Sequence, residues 1–284
     1  MTLPMFVETH PRDELVRTER LPHIWCPGCG LGNILSGFTQ AIINSKGTIP
    51  IDNQVVVSGI GCSGRFAGYV KVDSYHTTHG RAIPFATGLK LANKKLNVSV
   101  ISGDGDLMTI GGNHLIHAAR RNINLNVIFV NNFNYGMTGG QFGATTPHGA
   151  ITTTSAKGNY EHPFSMPYLM ASAGASYVAR WTTLHLKQLE KSIENAFHHD
   201  GFSFIEVISP CPKGFGRKNN FKTGLDQMRY FESASLKSDN INLKEATASM
   251  KLLDNLPVGE FIIDNKPSYL KVKEATILNN GGRT

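Results

Sequence analysis

The feature that most constrains this chain is a pair of β-branched runs, Val98-Ser-Val-Ile-Ser-Gly-Asp-Gly-Asp106 and Leu125-Asn-Val-Ile-Phe-Val-Asn-Asn132, each breaking off into polar or glycine residues. Short apolar runs of this kind predict strands buried on both faces. Between them, Thr109 to Arg120 carries a helical apolar rhythm at Leu115, Ile116 and Ala119, so the unit reads as a βαβ crossover. Such a crossover makes the strands parallel and puts both carboxyl ends on one edge of the sheet, where open α/β folds bind ligands. Asp104 and Asn132 are thereby set side by side, and a carboxylate with an amide oxygen half-builds a site for a hard cation such as Mg²⁺. Gly103 and Gly105 leave room for an anion to approach the backbone. A bare Gly-Asp-Gly is more often an ordinary turn; its pairing with Asn131-Asn132 one strand later makes the signal specific.

The flanking segments extend the same architecture. Gly32 to Ile43 is amphipathic and predicts a helix, Gln54 to Ser58 a buried strand, and Ala82 to Ala92 a helix whose Pro84 lies in the first turn, where proline is tolerated. Met166 to Ala173 predicts a short helix and Ser176 to Trp181 a strand. Leu186, Leu189, Ile193, Ala196 and Phe197 share one helical face, and Phe202 to Ile208 is the last clear strand. Phe142 to Pro163, rich in Thr and Gly, is long enough to suggest a functional loop. Residues 1–22, with Pro4, Pro11 and Pro22, read as an irregular arm lying over the surface or a neighbouring subunit. Residues 214–284 read as an irregular tail with short helices, leaving 23–213 as one domain.

The chain has 284 residues and a net charge of +7, with its basic residues scattered rather than gathered into a stripe with aromatics, which argues against a nucleic-acid partner. No apolar run reaches membrane-spanning length and the N-terminus has no signal-peptide pattern, so the expectation is a cytoplasmic protein with no membrane contact. In that compartment the four cysteines point to metal or redox chemistry rather than disulfides. Cys26 and Cys29 share a Cys-x-x-Cys turn whose thiols Trp25 can shield. Cys62 and Cys211 each follow a predicted strand directly, in glycine- or proline-bearing bends. If the strands are parallel, a fold of the turn over the sheet edge completes a four-thiolate set, which suits zinc or an iron–sulfur cluster; spacing does not choose between them.

Gly103-Asp-Gly-Asp106 with Asn131-Asn132 resembles the diphosphate-binding motif of thiamine-diphosphate enzymes. The resemblance implies that fold, with Mg²⁺ held by Asp104, the Asn132 side chain and the Asn134 main-chain carbonyl, and with Tyr135-Gly-Met-Thr-Gly-Gly-Gln141 wrapping the diphosphate. Together with Trp25-Cys-Pro-Gly-Cys-Gly30, Gly59-Ile-Gly-Cys-Ser-Gly-Arg65 and His79-Gly-Arg81, these motifs resemble, in order and from about residue 20 to Lys213, the β subunit of 2-oxoacid:ferredoxin oxidoreductases. That family implies a [4Fe–4S] cluster on Cys26, Cys29, Cys62 and Cys211. It implies cofactor contacts at Ile60, Gly61, Cys62, Ser63, His79, Gly103, Gly105 and Thr138. His79 and Arg65 are the catalytic candidates, Arg65 for the substrate carboxylate. Asp106 is expected to brace the loop or to N-cap the following helix; His76, His114 and His117 are expected to be ordinary surface or packing residues.

The chain shows one diphosphate-type unit and no duplicate. The resemblance therefore implies an α subunit supplying the pyrimidine-binding domain with its activating glutamate, most of the substrate pocket and the coenzyme A site. The pair would convert a 2-oxo acid, coenzyme A and oxidised ferredoxin into acyl-CoA, CO₂ and reduced ferredoxin. The Tyr135 to Gln141 segment looks like the 2-oxoglutarate branch, some broad-specificity relatives carrying lysine in place of Gly139; pyruvate is the alternative substrate. A zinc-stabilised, non-catalytic module of the same fold is the alternative of another class. A self-sufficient decarboxylase conflicts with the short chain and the single unit.

Overall fold

The computed structural model describes residues 10–237, 243 and 255–279. In chain order its regular elements are α1 (Leu31–Ser45), β1 (Gln54–Ser58), β2 (Asp73–His76), α2 (Ala82–Ala92), β3 (Asn97–Gly103), α3 (Gly112–Arg120), β4 (Leu125–Asn131), α4 (Met166–Ser172), β5 (Tyr177–Thr182), α5 (Leu186–His198), β6 (Phe202–Ile208), α6 (Gly224–Ala234), β7 (Ser235–Lys237), β8 (Leu256–Ile263) and α7 (Tyr269–Asn279). The strands form one sheet in the order β2-β1-β3-β4-β6-β5-β8-β7. All pairs from β2 across to β5 are parallel, and β8 lies antiparallel to β5.

Alternation along the central strands feeds two cores. Val56, Ile101, Ile128, Val130 and Ile205 face α1 and α5, meeting Ile34, Phe38, Leu189 and Ile193. Val55, Val57, Val100, Val127 and Phe129 face α2, α3 and α4, meeting Ile83, Ala86, Leu115 and Met166. Because helices cover both faces, every residue of β4 and β6 is buried, which is why these strands read as continuous apolar runs. Each large apolar side chain taken out of water contributes about 1.5–3 kcal/mol toward the conformational entropy of ordering the chain.

Connectivity locates the functional edge. From β1 the chain steps outward to β2, and from β3 it steps the opposite way to β4. The carboxyl ends of the neighbouring strands β1 and β3 therefore flank a topological switch point, where open α/β sheets leave a crevice.

Both ends of the chain differ from expectation. The arm carries two short 3₁₀ turns, Pro11–Glu14 and Thr18–Arg20, and its Leu15 and Val16 are buried in the core. Arg17 N donates to Tyr69 O and Lys71 N to Leu15 O, so from residue 10 onward the arm is tied to its own domain; residues 1–9 lie outside the described residues. The described part of 214–284 is not an irregular tail. Leu256 and Val258 of β8 are buried, Val258 in the α1/α5 core, and the strand covers the edge that β5 would otherwise expose. Val258→Asp, which puts an unpaired carboxylate at this position, is expected to cost about 3 kcal/mol in urea unfolding. A loss below about 0.5 kcal/mol, the range of an ordinary surface change, would show that β8 is not integral to the sheet.

Candidate functional site

Four bends meet at the switch point: Gly59–Ser63 after β1, Thr77–Gly80 after β2, Asp104–Asp106 after β3 and Asn132–Thr138 after β4. Every residue expected to contact the cofactor, and all three expected at the cation, line one cleft there, together with Asp106, Tyr135, Gly136 and Met137.

Asp106 ties these bends together. Its side chain is fully buried; it accepts hydrogen bonds from Ile60 N (3.2 Å), Gly80 N (2.8 Å) and Ser102 Oγ (2.9 Å), and its Oδ1 lies 2.6 Å from His79 Nδ1. The bracing role is thus the one the structure shows. The helix N-cap is not made: Asp106 sits inside a π-helical turn, Gly105–Ile110, and α3 starts only at Gly112 without a side-chain cap. The inward carboxylate is also why residue 59 is glycine, since a Cβ there would stand 1.8 Å from Asp106 Oδ2. The imidazole of His79 lines the cleft in contact with Asp106, without a hydrogen bond to it, its ring edge-on to Tyr135 at 6.1 Å between centroids.

The oxygens of the cation site converge. Asn132 Oδ1 lies 3.2 Å from Asp104 Oδ1 and 2.7 Å from Asn134 O, three acceptors with no proton among them. Turning the Asn132 amide would place a donor there; a cation would satisfy all three oxygens as they stand and would also answer the charge of Asp104. That carboxyl is 2% exposed, and burial pushes its pKa up to about 7, against the opposing pull of the Thr145 hydroxyl (2.7 Å) and the main-chain N–H groups of Gly105 and Phe133. The donor set fits a hard divalent cation.

The cysteines approach the same rim from the α1 side. Cys29 N closes the Cys26–Cys29 turn on Cys26 O at 2.9 Å, and Trp25, 5% exposed, donates from Nε1 to Cys62 O at 2.8 Å, binding this turn to the Gly59–Ser63 bend. The turn lies flat on the segment after β6, where a Cβ on Gly30 would meet Ser209 Oγ at 2.6 Å. Burial pushes the Cys29 thiol up to about 12 and that of Cys62 up to about 11, and raises Cys211 as well. Cys29 feels the charges of Cys211, Cys62 and Cys26, and Cys62 those of Cys211 and Cys26, so the four thiols form one electrostatic group. Among the described residues no three His, Cys, Asp or Glu side chains are gathered round a single ion-sized point. All four cysteines are free. The four thiols are half-buried and stay protonated by themselves; a metal centre would take them as thiolates and offset both their desolvation and their mutual repulsion. The set fits soft metal chemistry.

Two contacts join the oxygen and sulfur groups. Cys62 lines the cleft while belonging to the thiol set, and Asn134 Oδ1 lies 3.9 Å from Cys211 Sγ. Arg65 is not brought into the cleft. It is exposed on the 3₁₀ turn Ser63–Gly68, and its charge acts on Cys62. His76 is exposed. His114 Nε2 pairs with Arg81 Nη1 at 2.8 Å and His117 Nδ1 accepts from Arg120 Nε at 3.4 Å, both at the surface.

Sequence reasoning missed Thr145, Thr146 and Ser102. Thr145 and Thr146 reach back from the Phe142–Pro163 loop to Asp104 and to Phe133 O. Isolated small hydroxyls in a Thr-rich loop carry no periodicity to mark them; only the length of the loop pointed to a function.

The thiamine pyrophosphate enzyme C-terminal TPP-binding domain model matches residues 59–207. The chain is 48% identical over 265 residues to a 2-oxoglutarate synthase subunit KorB of Methanothermobacter marburgensis, spanning 93% of this chain and 90% of the relative. To its namesake in Methanothermobacter thermautotrophicus it is 53% identical over 227 residues, 80% and 79% of the two chains. The structure superposes on a 2-oxoglutarate:ferredoxin oxidoreductase from Magnetococcus marinus, with 2-oxoglutarate, coenzyme A and succinyl-CoA bound, with a TM-score of 0.84 at 29% identity, covering 99% of this chain and 94% of that one.

Asp106→Ala removes the acceptor shared by three bends and is expected to lower stability by about 3 kcal/mol or more, since hydrogen bonds to an ionised group contribute about 1.5–3 kcal/mol each. An unchanged denaturation midpoint would show that the bends hold without it.

Proposed function

The chain belongs to the β-subunit family of 2-oxoacid:ferredoxin oxidoreductases, and on that premise we propose how its rim performs the family's chemistry on 2-oxoglutarate. The reaction is the oxidative decarboxylation of 2-oxoglutarate with coenzyme A to succinyl-CoA and CO₂, the two electrons passing one at a time to ferredoxin. Thiamine diphosphate, when bound, supplies the carbon nucleophile and the sink for the electron pair left by CO₂, and a [4Fe–4S] cluster supplies a one-electron acceptor.

The residues divide the work by hardness. Asp104, the Asn132 amide oxygen and the Asn134 carbonyl would hold Mg²⁺, a hard cation suited to oxygen ligands. Gly103 and Gly105 admit the diphosphate, and Thr138 offers a hydroxyl to it. The Ile60–Ser63 bend shapes the wall beside the reacting ring. His79, which touches Asp106, would present its ring to the cofactor. Cys26, Cys29, Cys62 and Cys211 hold the cluster. Arg65 stands on the sulfur side, where its charge favours thiolate ligands. The α subunit completes the site with the activating glutamate, the coenzyme A site and most of the substrate pocket. Free thiols fit assembly in a reducing cytoplasm, and among the described residues no helix is long and apolar enough to cross a membrane.

The observation that carries this reading is Cys62, which lines the thiamine cleft and belongs to the thiol group at once. A cluster on these thiols would then adjoin the thiamine cleft, an arrangement with no use in a non-catalytic module.

Anaerobic co-purification with the α subunit, followed by ferredoxin reduction assays, tests it. The expected protein is brown and turns over 2-oxoglutarate with the highest kcat/KM among the oxo acids tried. A higher value for pyruvate would move it to that branch, and a colourless zinc protein without turnover would reduce it to a binding module. Cys211→Ser is expected to lower iron content, and unaltered iron stoichiometry would remove Cys211 from the ligand set. Asp104→Ala is expected to weaken Mg²⁺-dependent thiamine diphosphate binding by about 100-fold, about 2.7 kcal/mol, without changing iron content. Unchanged affinity would count against the metal role.

A further inference from the structure

Behind the cation ligands the sheet buries two charged side chains that the chemistry above does not use. Arg180 in β5 and Glu206 in β6 are paired in register and are 1% and 0% exposed. Arg180 Nε donates to Glu206 Oε2 at 2.6 Å. The other carboxylate oxygen, Oε1, accepts from Asn131 Nδ2 at 2.7 Å, and Asn131 Oδ1 in turn accepts from Phe133 N at 3.1 Å.

Phe133 is the bend of the cation site. It lies between Asn132 and Asn134 and is a bulky residue at φ +67°, a conformation that side chains of its kind avoid unless their surroundings impose it. Its amide is shared between Asn131 Oδ1 and the Asp104 carboxyl, and its carbonyl is held by Thr146 Oγ1 at 2.7 Å. An amide side chain can be turned end for end, and which end faces Phe133 depends on what faces the other. An ionised Glu206 accepts only. It therefore takes the Nδ2 end of Asn131 and leaves Oδ1 for Phe133. A glutamine there could offer either end, and the selection would be lost.

We propose that Glu206, held by Arg180, is a positioning residue for the Mg²⁺ site: it fixes the Asn131 amide, which fixes the Phe133 bend, which sets the spacing of the Asn132 and Asn134 oxygens opposite Asp104. The inference rests on the reading of those three residues as the cation ligands. It has a consequence that loss of stability alone does not produce. Mg²⁺ demands near-octahedral geometry at about 2.0–2.1 Å, whereas Ca²⁺ accepts irregular sets at about 2.3–2.6 Å. A loosened bend penalises Mg²⁺ more than Ca²⁺.

The test uses the αβ enzyme, freed of divalent cation and thiamine diphosphate, and titrates the cofactor calorimetrically with Mg²⁺ or Ca²⁺. Glu206→Gln is expected to raise the half-saturating Mg²⁺ concentration about 10-fold, as removal of an outer-shell support does, with a shift of less than about 3-fold for Ca²⁺ and unchanged iron content. Equal weakening for both cations, or no weakening for Mg²⁺, overturns the proposal. Thr146→Val releases the same bend from its carbonyl side and leaves the ion pair intact. It is expected to show the same Mg²⁺-selective loss, and it decides the matter if Glu206→Gln does not fold: selective loss supports the relay, and wild-type Mg²⁺ affinity overturns it. Asp104→Asn, run in parallel, separates the two levels of the account. If Asp104→Asn binds Mg²⁺ like the wild type, the cation reading itself has failed; if it loses Mg²⁺ while Glu206→Gln shows no selective loss, only the relay has.

Discussion

The structure depends on one electrostatic demand, the charge of Asp104 in a site almost without water. Burial drives this carboxyl toward neutrality, yet the Thr145 hydroxyl and main-chain amides are aimed at it as though it were ionised. The Asn132 amide stands within reach of Asp104 and the Asn134 carbonyl: turned one way it donates to both, turned the other it joins them as a third oxygen for a cation. Such an assembly is expensive in an empty protein and would be favourable round a divalent cation, which in the proposed function would bring a diphosphate to this edge. Asp106, two residues on, is buried as deeply, but donors surround it and it serves as a brace. The two carboxylates of this loop differ in what they face: Asp106 meets N–H and O–H groups of neighbouring segments, while Asp104 meets the Thr145 hydroxyl and main-chain amides on one side and the Asn132 side chain on the other.

The second demand is set by softness. Oxygen ligands and thiolates select different metals, and this rim keeps the two sets apart while letting them touch at Cys62 and at the Asn134–Cys211 contact. The touching points matter because decarboxylation leaves an electron pair that must go somewhere. A cluster held by the cysteines would adjoin the cleft and supply a one-electron acceptor there. The naming of its relatives as β subunits implies that this chain, with its single diphosphate-type unit, works with an α subunit.

Much of this was legible in the residues. Val98–Gly103 and Leu125–Asn131 announced themselves as strands by apolar content and by the abruptness of their ends, and the parallel sheet followed from the helix between them. The cleft-lining residues came from motif resemblance, and the structure brings them to one place. What the sequence hid has physical reasons. Asp73–His76 forms a strand with no apolar pattern because it is an edge strand whose side chains are mostly exposed. Leu256–Ile263 reads as tail because Pro257 and Gly259 interrupt its apolar pattern, and only its pairing with β5 on one side and the short β7 on the other makes it a strand. Asp106 looked like an N-cap because nothing local shows that Ile60, Gly80 and Ser102 will meet it. Arg180 and Glu206 sit in runs otherwise fit for strand interiors, and only the register of β5 against β6 reveals that each neutralises the other.

The most direct measurement is diffraction from anaerobic crystals of the αβ enzyme with thiamine diphosphate and Mn²⁺ in place of Mg²⁺, recorded above and below the iron and manganese absorption edges. The account predicts iron anomalous density enclosed by Cys26, Cys29, Cys62 and Cys211, and one manganese peak among Asp104, Asn132 and Asn134 on the same rim. Iron absent from the cysteines, or manganese bound away from Asp104, would contradict it.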